Sequence, residues 1–192
     1  KVLDGNVGYL RISTFAKNTT DDARAAVEEL KSKHVKGIIL DLRSNGGGYL
    51  EAAQGVASIW LGDNQTIVTE RTGGEVTKKL TGYGNQLVGN MPTVVLVDGG
   101  TASASEIVAA ALRDNGKAQL VGTKTYGKGT VQEPISLDDG GVLKVTVAHW
   151  YTPDGQSIDG NGLKPDKKVE PTIKQIEQNN DVQLRAATEL LK

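Results

Sequence analysis

Twice in this chain an unbroken apolar run empties into a glycine-rich turn and passes straight into a helical pattern. The first is Gly37-Ile38-Ile39-Leu40-Asp41-Leu42, followed by Arg43-Ser44-Asn45-Gly46-Gly47-Gly48 and a helix-like stretch over 49–61. The second is Thr93-Val94-Val95-Leu96-Val97, followed by Asp98-Gly99-Gly100-Thr101 and an alanine-rich stretch over 102–115. A run without polar alternation reads as a strand buried on both faces, as in a sheet covered by helices. Strand, glycine turn, helix, repeated, is the grammar of an α/β fold. In such sheets ligands bind beyond the carboxyl ends of the strands. Helix N-termini there offer free N–H groups suited to holding an oxyanion.

The rest of the chain agrees with that class. Residues 7–15 alternate as a strand, and 20–33 read as an amphipathic helix behind a Thr19/Thr20 cap with Asp21 and Asp22 in its first turn. Gly73-Gly74 between 66–71 and 75–80 predicts a hairpin. A polar loop is expected over 81–91, a short strand at 120–121, a Gly/Lys/Thr loop over 122–130 and a strand over 142–151. Residues 172–191 read as two helical pieces around Asn179-Asn180. No domain boundary appears before about residue 168.

Composition narrows the chemistry. There are no Cys and only two His in 192 residues, which leaves no disulfide, no thiolate metal site and no Cys nucleophile. The 22 basic and 23 acidic residues give a net charge of −1 without a basic block, so nucleic acid is not an expected partner. No apolar run reaches the roughly 18 residues of a membrane span.

Ser103 opens the second helix. Ser103-x-x-Glu106 is a capping box; the alternative is a nucleophile whose oxyanion is held by the Ala104 N–H and an N–H of the Gly46–Gly48 loop. A nucleophilic Ser needs a base. His34, beside Lys33 and Lys36, reads as solvated, and His149, beside Trp150, reads as packed. Asp41 and Asp98 could orient a His, but neither His is well placed. Lys is the other option. The loop Gly122-Thr123-Lys124-Thr125-Tyr126-Gly127-Lys128-Gly129 nearly matches a phosphate loop. It fails there because Gly129 replaces the metal-binding Ser/Thr and Pro134 stands where a helix should begin.

At this point the motifs resemble those of a known family. Gly100-Thr101-Ala102-Ser103-Ala104-Ser105-Glu106-Ile107, then Gly127-Lys128-Gly129 and Gln132, are similar to the C-terminal processing peptidases, or tail-specific proteases. The stretches 37–48, Thr152-Pro153-Asp154-Gly155 and Gly162-Leu163-Lys164-Pro165-Asp166 extend the resemblance over about 7–168. It implies a serine endopeptidase with a Ser–Lys dyad on a crotonase-like (ClpP/crotonase) α/β core of repeated β-β-α units. Ser103 matches the nucleophile, Lys128 the general base and Gln132 the group that positions the lysine. Ala104 with Gly47 or Gly48 matches the oxyanion hole. Ser105 is the competing serine. A lysine base must be neutral when it acts, so Lys128 is expected to be desolvated when the site is assembled.

The resemblance also implies polypeptide substrates cleaved in unstructured or C-terminal segments, no cofactor or metal, no membrane insertion and an extracytoplasmic location. The family carries a PDZ domain ahead of the core, and nothing before Val7 is long enough to be one. The expected organisation is a catalytic core over 1–168 and a helical segment over 169–192 packed on the core or on another subunit. Two other readings stay open: a non-catalytic binding scaffold in which Ser103 only caps a helix, and an acyl-CoA-type crotonase enzyme.

Overall fold

The glycine-ended apolar runs form the centre of a largely parallel sheet. The structure, a computed structural model, describes residues 1–84, 86–138 and 140–192; Asn85, inside the loop expected at 81–91, and Asp139 lie outside the described residues. Among the described residues one sheet runs β1 (Val2–Leu3), β2 (Val7–Arg11), β3 (Gly37–Asp41), β6 (Thr93–Val97), β7 (Gln119–Gly122), β10 (Lys167–Lys168) in spatial order. All its neighbours pair in parallel except edge strand β1. A second, antiparallel sheet has the order β5 (Glu75–Thr81), β4 (Thr66–Thr72), β9 (Val142–Tyr151), β8 (Thr130–Ser136). Gly73 and Gly74, both at positive φ, close the β4–β5 hairpin where the sequence predicts it.

Alternate residues of β3 and β6 enter two different cores. Ile38, Leu40, Val95 and Val97 pack with α1 (Thr19–Ser32), α2 (Leu50–Ala57) and α3 (Ala104–Asp114). Ile39, Val94 and Leu96 face the other way and pack with Ala187 and Leu191. Ala187 belongs to α5 (Val182–Glu189), which follows α4 (Ile173–Glu177). The C-terminal helix thus covers the second face of the sheet, so the strands need no polar face. Helix α3 is buried on every side from Ala104 to Leu112, including Ser105 and Glu106.

Three elements differ from expectation for local reasons. The first strand stops at Arg11, because the Asn45 side chain takes the Ile12 carbonyl at 2.8 Å and ends the regular ladder; Phe15 keeps only a single bridge to Gly48. Helix α2 stops at Ala57 instead of reaching 61. There the Ser58 hydroxyl bonds back to Gln54 O at 2.7 Å, and Ile59 and Trp60 make tightened i−3 bonds. Helix α1 starts behind Asn18, while Thr19 Oγ1 turns back to accept from Ala16 N–H.

Candidate active site

The two glycine turns are tied to each other. Asp98, at the end of β6, accepts from Ser44 N–H at 2.8 Å and Ser44 Oγ at 3.1 Å, and its second bond set reaches Gly100 N–H at 2.9 Å. Thr101 Oγ1 donates to Leu42 O at 2.9 Å. Buried Asn45 is the other tie. Its carbonyl accepts from Ala102 N–H and from Ser105 Oγ, both at 2.9 Å. Neither Asp41 nor Asp98 orients a histidine: Asp41 is held by Tyr9 and Arg43.

Ser103 sits where these ties converge, at φ 58° and ψ −121°. An ordinary N-cap lies in the β region. A non-glycine residue at positive φ costs on the order of 1–3 kcal/mol and persists only where its surroundings over-determine it. What holds it is Glu106, whose Oε2 accepts from Ser103 N–H at 2.9 Å. A hydrogen bond to a charged group contributes about 1.5–3 kcal/mol, enough to offset the strain. Ser103 is partly exposed, whereas Ser105 is fully buried with its hydroxyl donated to Asn45.

Glu106 also fastens the lysine loop. Its Oε1 accepts from Thr125 Oγ1 at 2.5 Å and Gly127 N–H at 2.8 Å, and its Oε2 accepts from Lys128 N–H at 2.9 Å. Two such bonds to one oxygen place the backbone nitrogens of Ser103 and Lys128 within about 6 Å of each other. Tyr126 N–H adds a bond to Thr101 O at 3.0 Å. From the sequence Glu106 is legible only as the acid that closes a capping box three positions after Ser103. The one available signal was an acid inside an otherwise apolar helix.

The side chains of Lys128 and Gln132 are both exposed. The expected desolvation of Lys128 is therefore not met in this structure: Glu106 grips the loop by its backbone and leaves the residue exposed. The β8–β9 register shifts between Val131 and Gln132. Such a bulge re-aims side chains next to functional sites.

The Gly46–Gly48 loop lies against the Ser103 turn. A Cβ on Gly47, at φ +102°, would stand 2.8 Å from Ser103 Cβ and 2.9 Å from Ala102 O. Gly48 is pressed on Phe15 instead. Gly47 N–H is already donated to Asn45 Oδ1 at 2.9 Å. Among the described residues, the N–H groups of Gly46, Gly48 and Ala104 have no hydrogen-bond partner. The histidines stand apart in their bonding. His34 is exposed at the end of α1, and His149, expected to be packed, faces away from buried Ala148 and Trp150 and pairs with Asp159 at 3.3 Å. Among the described residues no group of acids and histidines is arranged to hold a metal ion.

The sequence pattern of peptidase family S41 matches residues 6–169. The carboxy-terminal-processing protease of Bartonella bacilliformis is 39% identical over 186 residues, 95% of this chain and 43% of that protein. The carboxyl-terminal-processing protease of Synechocystis sp. is 42% identical over 189 residues, 97% of this chain and 44% of that protein. Among solved structures, a photosystem II D1 C-terminal processing protease superposes with a TM-score of 0.82 at 37% identity, covering 95% of this chain and 48% of that one. The chain spans less than half the length of each.

Proposed function

This chain belongs to peptidase family S41, and from that premise we propose that it is the catalytic part of a serine endopeptidase working through a Ser103–Lys128 dyad. The observation that carries the reading is the shared grip of Glu106 on both residues, with Ser103 in a strained turn. A strained serine is costly as a mere cap and useful as a nucleophile.

In the proposed reaction neutral Lys128 Nζ takes the Ser103 Oγ proton as Oγ bonds to the scissile carbonyl carbon. The carbonyl oxygen becomes an oxyanion held by the N–H groups of Ala104 and Gly48. The ammonium then gives its proton to the leaving amine as the C–N bond breaks, leaving an acyl-Ser103 ester. Water, deprotonated by Lys128, repeats the attack and releases the acid and the free Ser103 hydroxyl. Gln132 orients the lysine, and the bound polypeptide supplies the cover that Lys128 lacks.

The fold is read as crotonase-like, since each of α1, α2 and α3 follows a strand of the six-stranded sheet. The proposed substrates are unstructured or C-terminal segments of polypeptides, in keeping with the names of the relatives. An extracytoplasmic setting is part of the same proposal; among the described residues no helix is long and apolar enough to cross a membrane. The test is cleavage of unfolded casein. The wild-type chain should cleave it slowly, Ser103→Ala and Lys128→Ala should not, and equal cleavage by all three would reject the dyad.

A further inference from the structure

Arg43, the second residue beyond β3, uses every N–H of its guanidinium. Nε donates to Asp41 Oδ1 at 2.9 Å, and Nη2 donates to Asp41 Oδ2 at 2.6 Å and Asp181 Oδ2 at 2.9 Å. Nη1 donates to Asp181 Oδ1 at 2.8 Å and Gln183 Oε1 at 3.1 Å. A guanidinium has five N–H donors, so the fork is saturated, two-pronged toward each carboxylate. Burial works against the charge on Arg43, but the bonds to Asp41 and Asp181 outweigh it and hold the guanidinium above its usual range.

Each partner is fixed in turn. Asp41 is buried and also accepts from Tyr9 Oη at 2.7 Å and Arg43 N–H at 3.1 Å. Asp181 is the N-cap of α5, accepting from Leu184 N–H at 2.9 Å, and Gln183 Nε2 donates to Val169 O at 2.9 Å. On the other side of Arg43 there is little slack: Ser44 N–H is held by Asp98, Asn45 N–H by Leu42 O, and Gly47 N–H by Asn45. The C-terminal helix is thus fastened to the root of the loop that packs on Ser103.

We infer that Arg43 is a positioning residue for the proposed hydrolysis: held by Asp181 of the C-terminal helix, it fixes the root of the 43–48 loop and so the aim of the Gly48 N–H. The inference rests on the oxyanion assignment made above. Oxyanion donors act only when held within about 0.5 Å of the working geometry, so a loose root lowers turnover more than substrate binding. It also makes the C-terminal segment, far from Ser103 in sequence, part of what sets the rate.

The test uses two gentle variants of the full chain. Asp181→Asn keeps the cap acceptor for Leu184 but removes the charge. Arg43→Lys keeps the charge but removes the planar fork. Each should lower kcat roughly tenfold with KM unchanged, less than the 10²–10³ of deleting an oxyanion donor outright. The double variant should be no worse than either single, because both cut one link. Independently of catalysis, amide hydrogen exchange at Asn45 and Gly47, the two buried and hydrogen-bonded amides of the loop, should quicken in Asp181→Asn while exchange in β3 and β6 stays unchanged. Unaltered exchange at these two amides, uniformly faster exchange throughout, or a raised KM at unchanged kcat would overturn the inference. If the wild-type chain cleaves nothing, the proposed function fails by itself, and the exchange measurement still decides on the clamp.

Discussion

Ser103 and Lys128 donate their backbone N–H groups to the same oxygen, Oε2 of Glu106, each at 2.9 Å. The proposed nucleophile and base, 25 positions apart, therefore share one buried anchor. The strained Ser103 turn and the glycine-rich lysine loop become a single unit through that carboxylate.

Glu106→Gln tests the anchor. The amide has one accepting oxygen and would turn an NH2 toward two of the four donors. Leaving buried donors unpaired should destabilise the fold by about 2–4 kcal/mol, read as a lower denaturation midpoint. Misplacing Ser103 against Lys128 should lower kcat about a hundredfold. Wild-type turnover in this variant would show that the shared anchor is incidental.

Gly47 and Gly46 form a matched pair. Alanine at Gly47 would put a Cβ 2.8 Å from Ser103 Cβ at a positive φ, whereas alanine at Gly46 would meet nothing within 4 Å. Gly47→Ala should lower turnover about a hundredfold, and Gly46→Ala should leave it near wild type. Steady-state kinetics on one unfolded substrate distinguish them.

Lys128→Ala and Lys128→Arg should both lose about 10²–10⁴ in kcat, because an arginine stays charged and cannot act as base. Both should melt with the wild type, since the fold uses the Lys128 N–H rather than its exposed side chain. Activity retained in Lys128→Arg would exclude the lysine as base.

Stability at high pH should report on Tyr9. Burial, then its hydrogen bond to Asp41, pushes the phenol up to about 12. A raised folded-state value means the contribution is complete below the unfolded value near 10 and is lost as pH rises through 12. Because the ring is partly solvated, screening reduces the effect to about 1–2 kcal/mol. Tyr9→Phe should therefore lose less stability than wild type between pH 10 and 12. Equal alkaline slopes in chemical denaturation would contradict this.

Much of the frame was legible because burial on both faces leaves a plain mark. The runs at 37–42 and 93–97 have no polar alternation, and the structure puts alternate residues of each into two cores. Gly73-Gly74 announced its hairpin for the same local reason. The site was legible only as residue types in order. Nothing in Gly100-Thr101-Ala102-Ser103-Ala104 says that Ser103 takes a positive φ. The four donors to Glu106 come from residues 103 to 128, a convergence that no local pattern encodes. Asn45 was read as turn material, yet its side chain ends one strand and occupies the Gly47 N–H. Arg43 and Asp181 lie 138 positions apart, beyond the reach of any motif.

Ser103, and not buried Ser105, is the proposed nucleophile. A fluorophosphonate probe that reacts with activated serines, followed by intact-mass measurement, tests it most directly. One adduct should form on the wild type and on Ser105→Ala, and none on Ser103→Ala. An adduct on Ser103→Ala at the wild-type rate would exclude Ser103 as the nucleophile.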